Sequence, residues 1–121
     1  MPEEKKGNTT ELRFNVQLDE DNVPEKIQWS STEGGQLSTK ECKAFMLSIW
    51  DDKENHALRL DLWNKEMRVD EMNIFFFETM MTMAESYERA TNNSEMSVEI
   101  RKFAREFGEK TELLKQKRDE K

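Results

Sequence analysis

Covalent chemistry needs side chains that titrate, attack or ligate, and this sequence supplies few of them. His56 is the only histidine, set beside Asn55 in a polar stretch, and Cys42 is the only cysteine. General acid–base work requires a partnered group in a cleft, so His56 reads as a solvated loop residue. One histidine and one cysteine cannot furnish the four nitrogen and sulfur donors of a structural zinc site within one chain. Cys42 would need a neighbouring base or positive field to become reactive. Lys40 and Lys43 are the nearest candidates in sequence, and a half-buried structural cysteine is the preferred reading. Gly34-Gly35 is too short, and lacks the following Lys-Ser or Lys-Thr, for a loop that cradles phosphate; it reads as a turn. Asp51-Asp52 and Asp70-Glu71 lack the spaced loop of a calcium hand, and no pocket supports a paired-carboxylate hydrolase, so turn and cap roles are expected. The expectation is therefore no catalytic residue, no cofactor and no metal.

The residues that stand out are suited to contact instead. Trp50 and Trp63 are large aromatics of the kind that anchor protein interfaces, or that pack beneath loops and helices. Met46, Trp50, Arg59, Asp61 and Trp63 form the candidate partner-binding face, with either another protein or a second copy of the chain as occupant.

These side chains depend on a run of strands. Leu12, Phe14, Val16 and Leu18 alternate with Arg13, Asn15 and Gln17, the period of a half-buried strand over Glu11 to Leu18. Asp19 to Asn22 is turn chemistry, and Pro24 delays the second strand to about Lys26 to Ser31, with Ile27 and Trp29 inward. Glu33 to Gln36 makes a loop.

Glu41 to Asp51 supports two readings. As a helix, Cys42, Phe45, Met46, Ile49 and Trp50 form a stripe, with Ser38 and Glu41 as a capping box. As a strand, Phe45, Leu47 and Ile49 share a face, and Leu47-Ser48-Ile49-Trp50-Asp51 resembles Leu60-Asp61-Leu62-Trp63-Asn64 as one arm of a hairpin resembles the other. The strand is preferred, and Ala57 to Asn64 is a strand on either reading. Asp70 is a candidate N-cap for a helix through about Ala90 that carries Met72, Phe76, Met80, Met83 and Tyr87 on one stripe. Phe75-Phe76-Phe77 wraps around more than one helix face, so at least one of these rings must leave that stripe. Ser94 is expected to cap a second, antiparallel helix with Met96, Ile100, Phe103, Phe107 and Leu114 repeating, and Gly108 to weaken its last turns. No longer internal repeat and no low-complexity tract is present.

The fold class expected is α+β: an antiparallel β-sheet of 3–4 strands with one face covered by a C-terminal antiparallel helical hairpin. The aliphatic face would hold Leu12, Phe14, Val16, Phe45, Leu47, Ile49, Leu58, Leu60 and Leu62. The opposite face would carry Met46, Ser48, Trp50, Arg59, Asp61 and Trp63, too aromatic for a plain solvated surface. Residues 1–10 read as a flexible leader, 11–114 as a single domain and 115–121 as a frayed charged tail.

Composition agrees with a small globular domain. The chain has 121 residues, 35% hydrophobic and 37% charged, with seven Phe, three Trp and eight Met, too many large apolar residues for disorder. The net charge of -7 and pI near 4.9 oppose long-range attraction to nucleic acid or anionic membrane, and Lys and Arg are interleaved with acidic residues. There is no apolar signal segment and no run of roughly 20 apolar residues for a membrane span. Without an internal disulfide, a cytoplasmic setting is expected.

Several segments taken together carry a resemblance: Val23-Pro24-Glu25-Lys26-Ile27-Gln28-Trp29-Ser30, Met46-Leu47-Ser48-Ile49-Trp50-Asp51, Leu58-Arg59-Leu60-Asp61-Leu62-Trp63-Asn64-Lys65-Glu66-Met67, Val69-Asp70-Glu71-Met72 and Glu88-Arg89-Ala90-Thr91. Across about Glu11 to Phe107 the chain resembles the gliding-motility GldC family of the Bacteroidetes. The resemblance implies an accessory protein associated with gliding motility, with partners in the motility or secretion apparatus and no catalytic residue or cofactor to transfer. The function expected is a non-enzymatic, cytoplasmic protein-binding factor. The alternative is a chaperone-like or export-associated factor that holds client proteins through exposed Trp and Met.

Overall fold

The computed structural model describes residues 9–33 and 36–111 and divides the chain into two compact units, Met1–Met67 and Arg68–Lys121. The expected Gly34-Gly35 turn, Leu114, the 115–121 tail and all of the leader but Thr9 and Thr10 lie outside the described residues. Thr9 and Thr10 carry no regular structure. Strands followed by two helices give an α+β chain, as the alternation and periodicity predict.

The first unit contains five strands in two antiparallel sheets. β1 (Leu12–Leu18), β2 (Pro24–Glu33) and β3 (Gln36–Cys42) form one in the order β1-β2-β3, while β4 (Ala44–Trp50) and β5 (Ala57–Trp63) form the other. Glu41 to Asp51 is therefore extended, not helical. Ser38 and Glu41 are ladder residues of β3 opposite Ser31 and Gln28, not a capping box. β3 itself is absent from the sequence reading, because Leu37 is the one apolar residue of Gln36 to Glu41 and a single apolar position gives no alternation to detect.

The β1–β2 turn is held by one aspartate. Asp19 Oδ1 accepts from Asp21 N at 2.8 Å and Val23 N at 3.0 Å, and Asn22 takes a left-handed φ of 63°, which asparagine tolerates better than most residues. Lys65 Nζ lies 2.5 Å from Asp19 Oδ2, tying the segment after β5 to this turn. The Lys65 ammonium, with the two backbone donors, holds the Asp19 carboxyl down at about 2. The register slips between Gln17 and Leu18 where Pro24 enters, since proline brings no ladder donor.

One face of the three-stranded sheet aligns Phe14 with Trp29 and Lys40, and Val16 with Ile27 and Cys42. Ile27 is only 1% exposed, and Phe45 of β4 brings its ring centroid 4.6 Å from that of Phe14. That aromatic contact joins the two sheets within the unit. Lys40 Nζ sits 5.8 Å from the Trp29 ring centroid, a cation–π contact on a half-buried indole. Buried Ser30 is satisfied by Thr39, 3.0 Å between hydroxyls. The aliphatic face is not uniformly core: Leu12, Leu18, Ile49, Leu58 and Leu60 are between 48% and 65% exposed.

The second unit is a helical hairpin, α1 (Val69–Thr91) and α2 (Ser94–Lys110). Its caps fall one or two residues from their expected places. Arg68, not Asp70, is the N-cap of α1; its amide donates to Glu71 Oε1 at 3.0 Å, and Asp70 lies in the first turn, where a carboxylate favours the helix dipole. Asn93, not Ser94, caps α2 by accepting from Met96 N at 3.0 Å. Asn92, at φ 63°, ends α1 in the left-handed conformation.

The helices meet through small residues. Ala84, Ser97, Ala104 and Gly108 are buried, and Ser97 Oγ donates to Ala84 O at 2.9 Å. Gly108 thus lies within a helix that continues to Lys110, and its missing side chain leaves room for α1. At 100° per residue this line is displaced from the expected apolar stripes of both helices. Those stripes flank it on the same side of the hairpin, where Phe76, Met83, Met96 and Phe103 are exposed. Among the three consecutive rings, Phe75 and Phe77 are half-buried, and Phe76 is the exposed one, edge-on to Phe75 at 6.5 Å.

Candidate functional site

The β4–β5 hairpin is positioned by its turn and its base. Asp51 Oδ2 accepts from Lys53 N and Glu54 N, at 3.0 and 2.5 Å, while Asp51 N donates to His56 O at 3.0 Å. Asn55 supplies the left-handed residue, φ 57°. The acidic pair Asp51-Asp52 therefore belongs to a turn, and exposed His56 contributes its carbonyl to closing it. At the other end Asn64 is buried; its amide donates to Lys43 O at 2.9 Å, and its side-chain oxygen accepts from Glu66 N at 3.0 Å.

Between these anchors the register is continuous, pairing Ala44 with Trp63, Met46 with Asp61, Ser48 with Arg59 and Trp50 with Ala57. Directly opposed residues share a face, so the structure brings Met46, Trp50, Arg59, Asp61 and Trp63 onto one surface. Trp50 is 66% exposed and Trp63 54%. Each indole stands opposite an alanine, at opposite ends of the hairpin. Six residues of strand rise separate them, roughly 20 Å. Arg59 Nη2 and Asp61 Oδ1 form a 2.7 Å ion pair between the two tryptophans, and Met46 is half-buried beside them.

The opposite face of the same hairpin also offers apolar surface. Ile49 opposes Leu58, and Leu47 opposes Leu60; Ile49, Leu58 and Leu60 are about half exposed. Sequence reasoning placed these residues in the core, and no sequence signal distinguishes them from the buried members of the same alternation. A hairpin with large apolar side chains open on both faces can contact other molecules.

The remaining candidates are dispersed. Cys42 is half-buried opposite Ile27 in β3, and burial pushes its thiol up from the ordinary value, which makes it a weaker nucleophile at neutral pH. Among the described residues no group of three or more His, Cys, Asp or Glu is placed to hold a metal ion, and no helix is long and apolar enough to cross a membrane. An open depression of about 610 Å³ is lined by Leu18, Asp19, Glu20, Asp21, Glu25 and Lys65; its polar groups include the Asp19–Lys65 turn contact already described.

Comparison with curated proteins and with solved structures finds no match. A family model described as "Gliding motility-associated protein GldC-like" matches residues 24–113, from the start of β2 past the end of α2, so it takes in the whole β4–β5 hairpin. This match spans most of the chain, and the protein belongs to the GldC-like family of gliding motility-associated proteins.

Proposed function

We infer that the protein is a non-enzymatic accessory factor of gliding motility, working in the cytoplasm by binding a protein component of the motility or secretion apparatus through the Trp50–Trp63 face of the β4–β5 hairpin. The observation that carries this reading is the exposure of two tryptophans and an Arg–Asp pair on one regular, hydrogen-bonded surface. Large aromatics and arginine dominate the energetics of protein interfaces, and a strand pair holds them at little entropic cost. The family's motility association supplies the context. A single cysteine, which can form no internal disulfide, is in keeping with a reducing interior.

The test is gentle crosslinking of a tagged copy in a gliding cell, comparing wild type with Trp50→Ala and Trp63→Ala variants of unchanged circular dichroism. Removing an interface tryptophan costs roughly 2 kcal/mol, about thirtyfold in affinity. A discrete motility or secretion component captured by wild type and depleted in both variants is the expected result. Capture that ignores both substitutions, or robust catalytic turnover by the purified protein, would overturn the reading.

A second reading, a chaperone-like holder of export clients, draws on the exposed Phe76, Met83, Met96 and Phe103 of the helical hairpin, because methionine adapts to varied apolar surfaces. A broad mixture of unfolded clients in the same capture, with suppressed aggregation of unrelated proteins, is its signature.

A further inference from the structure

β5 is an exposed edge strand. The sheet order gives it β4 on one side and no hydrogen-bonded neighbour on the other among the described residues, and six of its seven residues are exposed. Such an edge is a template for another strand, and a two-stranded hairpin is marginal alone.

The pattern of the β4–β5 ladder determines what the free edge offers. Asn64 N donates to Lys43 O, and Asp51 N to His56 O. In an antiparallel ladder hydrogen-bonded pairs alternate with non-bonded ones, so His56, Leu58, Leu60, Leu62 and Asn64 direct their backbone groups at β4. Ala57, Arg59, Asp61 and Trp63 direct theirs outward.

We propose that β5 pairs with β5 of a second copy of this chain, antiparallel about a two-fold axis at Leu60, to make a continuous four-stranded sheet β4-β5-β5-β4. In this register Arg59 of each copy lies opposite Asp61 of the other, Ala57 opposite Trp63, and Leu58 opposite Leu62. All four outward residues find partners, with two backbone hydrogen bonds at each pair. A shift of the axis to residue 59 opposes arginine to arginine, and a shift to residue 61 opposes aspartate to aspartate, both destabilising. Each shift also leaves outward groups unpaired within the strand. The other edge of the hairpin provides no such code: about Leu47, β4 would set Met46 against Ser48 with no charge pair.

The dimer also completes the candidate face. Trp50 and Trp63 lie roughly 20 Å apart in one chain, but across the axis Trp50, Ala57 and the second copy's Trp63 fall in one row. Two strand spacings put the Cα positions of the two tryptophans about 10 Å apart, on either side of the alanine. Each dimer carries two such rows.

Sedimentation equilibrium on the full chain tests the pairing. Wild type is expected to approach twice 14.4 kDa as concentration rises. Arg59→Asp and Asp61→Arg each place like charges opposite one another across the axis twice, raising the dimer dissociation constant roughly tenfold or more. The double variant R59D/D61R restores the pairing. Arg59→Pro removes an outward amide without touching the β4 ladder, and is expected to be monomeric with unchanged circular dichroism. A wild type of 14.4 kDa at every concentration, an assembly indifferent to the single reversals, or a double variant as weak as either single one would overturn the proposal. Trp50→Ala, which tests the partner-binding reading, leaves the β5 edge intact and is expected to dimerise normally, so the two inferences fail separately.

Discussion

Ile27 and Ile49 are the same residue type, both inward by alternation, yet Ile27 is 1% exposed and Ile49 50%. Replacing each with alanine deletes the same three carbons. At Ile27 the lost transfer free energy is about 2.4 kcal/mol at roughly 0.8 per carbon, and incomplete collapse of the site brings the total to about 3–4 kcal/mol. At Ile49 only half that surface is withdrawn from water and no closed cavity is left, so the cost is about 1 kcal/mol. For a unit of this size the melting temperature falls by roughly 4–8 °C per kcal/mol, so Ile27→Ala costs roughly 12 °C or more and Ile49→Ala less than about 10 °C. All three tryptophans lie in the strand unit, so indole fluorescence during heating or urea titration follows that unit, while the helical signal near 222 nm is weighted toward the hairpin. Equal losses for the two alanines would refute the burial assignment, and with it the claim that the distal half of the β4–β5 hairpin is open surface.

Gly108→Leu forces a side chain into the line where Ser97, Ala104 and Ala84 let the helices approach; a loss of about 1–3 kcal/mol in the 222 nm transition is expected, with the tryptophan transition little changed. Asp19 provides a pH test. Its folded-state value is depressed from 3.8 to about 2, so the stability it contributes is complete above about pH 5 and is lost as pH falls through 3.8 toward 2. Asp19→Asn should flatten the acid limb of the stability profile there while leaving neutral pH comparatively unaffected in slope, measured by urea titration at successive pH values.

Much of the architecture was legible because the signals are local. Leu12 to Leu18 alternates strictly, Leu58, Leu60 and Leu62 repeat the pattern, and the long helices carry apolar residues at spacings of three and four; β1, β5, α1 and α2 follow. The family segments were legible too, and the match over residues 24–113 agrees with them. β3 was not, because a polar strand registers only through its hydrogen bonds to β2. The helix caps moved because several polar residues near each start could cap, and backbone geometry selects among them: Arg68 and Asn93 take the non-helical dihedrals, while Asp70 and Ser94 fall inside.

The sequence by itself determined the class of structure and the sidedness of the candidate face, since a strand's period of two places Trp50, Arg59, Asp61 and Trp63 together once the hairpin register is granted. Only the tertiary structure decided which apolar residues are withdrawn from water. Alternation distinguishes one side of a strand from the other, but burial requires a second surface to arrive. Phe14 reaches Phe45 and Ile27 is enclosed, while Leu58 and Leu60, identical in pattern, remain open. The same holds for the helical hairpin, where hydrophobicity pointed to Met96 and Phe103 but close approach selected Ser97, Ala104 and Gly108, because backbones come nearest where side chains are smallest.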